Sequence, residues 1–412
     1  MSIKTLDYVV VKDNEGFVID KSWLDSGIRD QYFDVIRLTR NGWALSGGYS
    51  TSSIKERIPV SKRQRRVYFN LLRKEFKFWE NSVQRLGFYV GTDPEMFVVD
   101  KTGKLVPPST FLEKKTGNYA ISYPDGCGAE FMTAPTTCLA YGVDNIQSGL
   151  RNLYNKALEK EYSLTLKNVF ELTDEQRATF PAEALELGCR PSFNAYHEQS
   201  PLEGVIGQEV PIRSAGGHIH FGKTLGTKQN ERTDTTVKCM DVIVGVPAVS
   251  MAAGIDRAER RNFYGRAGEY RLPKHGLEYR VLSNFWLIHP AITHLTFELA
   301  RIGFSVGLSN NALLLEDCFE EARDIINNND VNASRQFITK HRALYEGMLF
   351  NTNIKSLGRD KALHGAYKMI LNGALSLISL KDFEKSWRLE CGWISHSGVA
   401  EGTWASFAQR NY

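Results

Sequence analysis

Between residues 88 and 300 the chain carries three short runs in which apolar and polar positions alternate, and each run holds a polar pair two residues apart. The central run is Ser214-Ala215-Gly216-Gly217-His218-Ile219-His220-Phe221-Gly222. Read as a strand, it places His218 and His220 on one face and turns Ile219 and Phe221 into packing. The two glycines allow another backbone or a ligand to come close. Upstream, Gly91-Thr92-Asp93-Pro94-Glu95 lies in a run from Phe88 to Val99 that is expected to put Asp93 and Glu95 on one face. Downstream, Leu277-Glu278-Tyr279-Arg280-Val281 does the same for Glu278 and Arg280. Polar groups facing a sheet interior are costly unless they meet ions or one another. Three such pairs therefore point to one shared site.

The remaining pattern supplies the frame. Residues 1 to about 60 read as short strands and turns. From Ser61 the spacing of Leu72, Phe76, Trp79, Val83 and Leu86 predicts a helix closed by Gly87. Its lysines and arginines, from Lys62 to Lys77, read as a solvated face. Tyr123–Phe131 is glycine-rich and predicts a bulged strand aiming Asp125 and Glu130 at the site. Val143, Ile146, Leu150, Leu153 and Ala157 form a helical stripe that covers a sheet face. Thr173 with Gln176 makes a capping box for a helix to about Leu187. Thr233 or Asp234 opens a helix through Met251 with a kink near Pro247. Beyond Pro290 the pattern is helical over 291–304, 313–326, 336–349 and 362–380. Three regions are expected: an extension over 1–87, a catalytic domain over 88–310 and a helical region over 311–412.

Composition narrows the class. A chain of 412 residues has ample core, and a formal net charge of +4 is too small at that length to imply a nucleic-acid partner. The six cysteines form no CxxC pair, which fits reduced thiols. Met1–Thr5 opens no apolar leader and no run reaches membrane-spanning length, so a soluble cytoplasmic protein is expected.

The pooled candidates are Asp93, Glu95, Glu130, His218 and Glu278, with the arginine-rich run Arg257–Arg271 and Arg280 nearby. Carboxylates with at most two imidazoles make an oxygen-rich donor set that favours Mg²⁺ or Mn²⁺. Arginines beside hard-cation ligands suit a polyphosphate, whose charge metals and guanidinium forks neutralise together.

In order along the chain, Gly91–Glu95, Asp125–Glu130, Gly216–His220, Arg260–Gly265 with Tyr270-Arg271, and Leu277–Arg280 resemble the motifs of the carboxylate–amine ligases of the glutamine synthetase superfold. The resemblance is to the phage-encoded amidoligase branch and covers roughly residues 88–310. It implies an α+β fold: a curved, mostly antiparallel sheet with helices on its convex face and the site in its concavity. It implies ATP-dependent amide formation through an acyl phosphate. By the resemblance, Glu95 and Glu130 would hold the metal nearer the acceptor carboxylate. Asp93, His218 and Glu278 would hold the metal on the nucleotide phosphates. Arg271 and Arg280 would contact phosphate with Arg261 and Arg266, and His220 would face the acyl phosphate. Family members often carry Glu where this chain has Asp93. Tyr264–Gly268, with two glycines, is a candidate loop to close over the site and exclude water.

Each motif also has a plainer reading. Asp-x-Glu on a strand is commonly a solvated face, a paired histidine a hydrogen-bonded core residue, and Glu278 with Arg280 a cross-strand ion pair. Cys127 lacks an orienting element for a nucleophile, and His275 is read as structural. Two rival functions stand beside the ligase: a phosphotransferase in the manner of guanidino kinases, and a non-catalytic binding protein on the same scaffold. The expected partners are ATP with a carboxylate and an amine, an amino acid or peptide first among them, while oligomeric state is left open.

Overall fold

In this computed structural model the described residues are five strands within residues 8–58, given as backbone, and residues 88–389 apart from 116–118, 137–138, 188–191, 200–208, 223–228, 352–358, 377–382 and 388. The architecture is mixed α/β, with antiparallel sheets and helices. The N-terminal strands β1 (Tyr8–Val11), β2 (Asn14–Val18), β3 (Tyr32–Thr39), β4 (Gly42–Ser50) and β5 (Ile54–Ile58) form an antiparallel sheet in the order β4-β3-β2-β1-β5. The basic helix expected over 61–86 lies outside the described residues.

Two sheets build the centre. β6 (Val90–Thr92), β12 (Phe193–Asn194), β14 (Ile219–Phe221), β15 (Glu269–Arg271) and β16 (Leu277–Tyr279) pair antiparallel in the order β12-β15-β16-β14-β6. β7 (Glu95–Val99), β8 (Ser122–Asp125), β9 (Gly128–Phe131) and β10 (Ser163–Thr165) pair in the order β10-β7-β9-β8. A further pair joins β11 (Val169–Glu171) to β13 (Ile212–Ser214).

The run Phe88–Val99 was expected to be one strand, and it is two. Pro94 has no N–H to give a ladder and restricts the residue before it, so pairing stops at Thr92 and resumes at Glu95 on a different sheet. The crossing is tied down by the Glu95 N–H, which donates to the Gly216 carbonyl at 3.0 Å.

The inner face of the β12–β6 sheet is the apolar set that alternation requires. Ile219, Phe221, Leu277, Tyr270 and Tyr279 are fully buried. Phe221 stacks on Phe304 of helix Pro290–Gly307 with ring centres 4.3 Å apart, and Phe88 meets Phe304 edge-on at 4.8 Å. The two tyrosines reach polar anchors in the layer below. Tyr270 donates to Asp234 at 2.8 Å, and Tyr279 donates to Asp241 at 2.6 Å. Burial pushes the Asp241 carboxyl up to about 7.

Asn230, rather than Thr233 or Asp234, caps the helix that follows, which runs Glu231–Met240. A π-turn over Asp241–Gly245 then leads into Val246–Met251. Pro247 has no N–H for an i−4 carbonyl, and the widened turn just before it is where the expected kink is absorbed. The capping box at Thr173 and Gln176 forms with both of its bonds, yet Pro181 follows and splits the expected helix into Asp174–Thr179 and Ala182–Leu185. Helices Phe319–Asn327, Val331–Lys340, Arg342–Asn351 and Arg359–Asn372 follow, with a 3-10 stretch at Asn310–Cys318 ahead of them.

Helix Leu139–Leu158 buries the expected stripe of Val143, Ile146, Leu150, Leu153 and Ala157. It meets β9 through Gly149, where an added Cβ would stand 2.1 Å from the ring of Phe131. Gly149→Ala would ordinarily strengthen a helix by about 1 kcal/mol. Here the overlap with a buried ring reverses the sign, and a net loss of about 1–3 kcal/mol is expected. Urea denaturation checks it; a gain in midpoint would contradict this packing.

Candidate active site

The register of the β12–β6 sheet sets the site. His220 pairs with Glu278 on one side and Gly91 on the other, and Glu278 pairs in turn with Arg271. One row therefore reads Arg271, Glu278, His220, Gly91 across four strands. Two residues away along the chain, still on this face, come Glu269 within β15 and Arg280, His218 and Asp93 one residue past the ends of β16, β14 and β6. The histidine and Glu278–Arg280 pairs thus share a face as expected. Asp93 and Glu95 do not share a strand, because the chain changes sheets between them.

The contacts are close. His218 Nδ1 lies 3.3 Å from Glu278 Oε1 and 3.5 Å from Asp93 Oδ1, and His220 Nε2 lies 2.9 Å from the same Asp93 oxygen. Arg280, 1% exposed, sets Nε 3.0 Å from Glu278 Oε1, while Arg271 stands 3.8 Å from that oxygen. Arg280 also donates to the Ser192 hydroxyl at 2.6 Å and lies over the Tyr264 ring at 4.9 Å. The glycines before the histidines are required by crowding. A Cβ on Gly216 would fall 2.4 Å from His218 Nε2, and one on Gly217 would fall 2.4 Å from the Ser283 carbonyl oxygen.

On the second sheet, Glu95 on β7 pairs with Glu130 on β9, and Tyr123 on β8 pairs with Glu130 from the other side. Asp125 lies two residues beyond Tyr123 on β8. Glu95, Asp125 and Glu130 form a group whose ligand atoms all lie within 4.8 Å of one another. Glu95 Oε2 also accepts from the Gly216 N–H at 2.8 Å, and the Tyr123 hydroxyl donates to Glu130. Burial, reinforced by the charge of Asp125, pushes Glu95 up to about 8. Burial and the charges of Asp93, Asp125 and Glu95 push Glu130 well above the carboxylate range. Burial and Asp93 raise Asp125 as well.

Asp93 behaves in the opposite way. Burial disfavours its charge, but His220 and His218 beside it hold its carboxyl well below the ordinary range. Burial lowers His218, whereas for His220 the Asp93 charge outweighs burial and raises it. Asp93 and Arg280 both act on the Glu95–Asp125–Glu130 group, so the two halves form one electrostatic unit.

An all-oxygen group with raised carboxyl pKa values is the environment a hard divalent cation relieves, so this donor set fits Mg²⁺ or Mn²⁺. Asp93, His218 and Glu278 meet in pairs through His218 and are shared with Arg280, Arg271 and His220. A small pocket lies beside Glu95 and Asp125, walled by Phe97, Arg213, Phe263 and Tyr264.

Several expectations need correction. Arg261 is committed elsewhere: it donates to Asp256 at 2.8 Å and to the Ile326 carbonyl at 3.3 Å. Arg266 pairs with Glu198 at 3.0 Å. The 3-10 helix Ala258–Asn262 turns the preceding arginines inward, and Arg260 clamps the Val281 and Leu282 carbonyls at 3.0 and 2.7 Å. Tyr264–Gly268 is packed into the protein rather than poised above the site, with Tyr264 2% exposed and Ala267 fully buried. In keeping with the sequence reading, Cys127 is no nucleophile: it donates to the Ala184 carbonyl at 2.9 Å, and burial pushes its thiol up to about 11.

Gly217–Thr224 spells the letters of the phosphate-binding loop GxxxxGK[ST]. Ile219–Phe221 between its glycines are instead strand β14, laddered on both sides by β6 and β16, so their amides are not a loop cradle.

Tyr264, Ser192, Lys115 and His275 also stand at the site, the last two without any assignment to it from the sequence pattern. His275 Nε2 lies 3.1 Å from His220 Nδ1. Lys115 Nζ lies 3.7 Å from Glu130 Oε1. All four sit in loops or turns, where periodicity gives no signal; for Tyr264 the Arg-x-x-x-Tyr-Gly motif was a usable one.

Residues 201–323 match the family model described as phage phiEco32-like COOH.NH2 ligase-type 2. That segment carries His218, His220, Arg271, Glu278 and Arg280, and it supports a phage-type carboxylate–amine ligase. No curated protein matches the chain. Among solved structures it is similar to a bifunctional glutathione synthetase from Pasteurella multocida, at 11% identity and a TM-score of 0.30, over 71% of this chain and 57% of that one. Among the described residues no helix is long and apolar enough to cross a membrane.

Proposed function

We propose that the protein is an ATP-dependent ligase that joins a carboxylate to an amine through an acyl phosphate, on a glutamine synthetase-like arrangement of its antiparallel sheets. The observation that carries this reading is the gathering of Glu95, Asp125 and Glu130 beside a row of arginines and histidines. Glu95, Asp125 and Glu130, with Asp93, His218 and Glu278 alongside, would hold Mg²⁺ or Mn²⁺, which when bound neutralises phosphate charge and polarises the reacting oxygens.

The chain's own groups do the rest. Arg280 and Arg271 stand ready with fixed positive charge for the phosphoryl group, and Ser192, Tyr264 and Glu278 hold the Arg280 fork in place. A substrate carboxylate oxygen attacks the γ-phosphorus, the bond to the β-bridging oxygen breaks, and ADP leaves. The amine nitrogen then attacks the acyl carbon, inorganic phosphate departs and the nitrogen loses a proton. The first step sets an anion against a polyanion, so alignment and preorganised charge account for most of the acceleration. His220, with Nε2 2.9 Å from Asp93 Oδ1 and Nδ1 3.1 Å from His275 Nε2, would face the acyl phosphate.

The test is incubation with ATP, Mg²⁺ and pooled amino acids or small peptides, followed by mass spectrometry. ADP and phosphate released only when an amine is present, together with a new amide, support the reading. A stable phosphorylated product without an amide would make the enzyme a phosphotransferase.

A further inference from the structure

Lys115 reaches the acid cluster from a loop. Its ammonium stands 3.7 Å from Glu130 Oε1 and 4.5 Å from the centre of the Tyr123 ring, and the Tyr123 hydroxyl donates to that same Glu130 oxygen. Its charge also bears on Asp125. β8, which carries Tyr123 and Asp125, is the outer strand of the β10-β7-β9-β8 sheet. Lys115 therefore approaches over β8, whereas Arg271 and Arg280 come from the other sheet through β15 and β16. With the guanidinium groups assigned to polyphosphate, a cation remains on the side where a second anion would sit.

A dication on Glu95, Asp125 and Glu130 would share oxygens with this ammonium, and two like charges at such range repel strongly. Lys115 can yield, because its side chain is 51% exposed and its stem is flexible. We propose that Lys115 is the resident counter-ion of the Glu95–Asp125–Glu130 cluster, displaced when the divalent cation binds, and that its freed ammonium then holds the carboxylate substrate. This rests on the metal-centred ligase reading above. It adds which side chain recognises the carboxylate and why that recognition waits for the metal.

The experiment uses the full chain, wild type, Lys115→Met and Lys115→Arg, with Mn²⁺ as the probe. Mn²⁺ titration followed by its paramagnetic resonance signal should show Lys115→Met binding roughly two- to fivefold more tightly, the size of a half-exposed ion pair removed. Lys115→Arg should stay near wild type. Acetylation of Lys115 by an amine-reactive reagent, read by mass spectrometry, should rise severalfold when Mg²⁺ is added to wild type. In the ligation assay Lys115→Met should raise the half-saturating concentration of pooled carboxylates about tenfold or more while that of ATP stays within about twofold. Unchanged or weaker Mn²⁺ binding by Lys115→Met, or acetylation indifferent to Mg²⁺, overturns the assignment of Lys115 alone. Wild type that binds no Mn²⁺ overturns the ligase reading as well, so the two failures are distinct.

Discussion

Glu278→Gln is expected to abolish ATP-dependent ligation while the protein still folds. Glu278 Oε1 is the atom that His218, Arg280 and Arg271 share, at 3.3, 3.0 and 3.8 Å. Glutamine keeps the shape but removes the charge that fixes the Arg280 fork and completes the acidic set. Turnover should fall by about 10³-fold, the scale seen when a preorganised charge is lost from an active site. Stability should fall too, because Arg280 is buried and loses its carboxylate. Removing one partner of a buried pair costs about 3–5 kcal/mol, and the Ser192 and Tyr264 contacts should keep the loss at the lower end. Glu278→Ala adds a cavity to the same defect and is expected to be the less stable of the two. Glu259→Gln is the control: that carboxylate makes an exposed ion pair with Arg257, and both activity and melting temperature should stay put. Thermal melts beside the coupled ADP assay decide it, and full activity in folded Glu278→Gln would be incompatible with the account.

The second large effect is a stability of the metal-free protein that falls with rising pH and that Mg²⁺ restores. Glu95 sits at about 8 in the folded protein against an ordinary value of 4.5, and Glu130 is raised as well. A carboxyl raised by folding binds its proton more tightly in the native state. Its contribution is fully present below the unfolded pKa and is lost as pH climbs through the folded one. Asp241, raised to about 7, acts in the same direction. His218, lowered by burial, acts in the opposite direction, but only below about pH 6.5. The window to read is therefore pH 6.5 to 8.5. Across it the metal-free protein should lose on the order of a few kcal/mol, since a tenfold difference in proton affinity is worth about 1.4 kcal/mol and the carboxyls titrate together. Mg²⁺ should return most of what Glu95 and Glu130 lose and nothing of what Asp241 loses. Calorimetric melts in chelator and in excess Mg²⁺ measure the difference. Equal Mg²⁺ stabilisation at both ends of the window would contradict the placement of the cation among these carboxylates.

What was legible from sequence was what a two-residue period can carry. His218 with His220, and Glu278 with Arg280, lie on one face because the extended chain carries on one residue past β14 and β16, bringing His218 and Arg280 onto Glu278. Asp93 with Glu95 obeyed the same spacing and failed, because Pro94 ends one ladder and begins another on a second sheet. That break is also what delivers Glu95 to Asp125 and Glu130 while leaving Asp93 with the histidines. Nearness in sequence misled for the arginines. Arg261 and Arg266 precede Arg271 closely, yet a 3-10 helix and two glycines with φ of 79° and 78°, Gly265 and Gly268, turn the chain so that only Arg271 lies beside Glu278. Lys115 and His275 had no pattern to announce them, since a loop residue is placed by the packing of everything around it. The helical stripe over Val143–Ala157 and the capping box at Thr173 were readable because each is a local rule met by local residues.

The central claim is that carboxylates from β7, β8 and β9 hold a divalent cation against a triphosphate lying on the arginine side of β15 and β16. Crystals grown with Mn²⁺ and a non-hydrolysable ATP analogue test it through anomalous scattering. The account predicts a manganese peak in contact with Glu95, Asp125 and Glu130, at about 2.1–2.3 Å from their oxygens, with the γ-phosphate between that peak and Arg280. A bound analogue whose manganese lies away from these three carboxylates would contradict it.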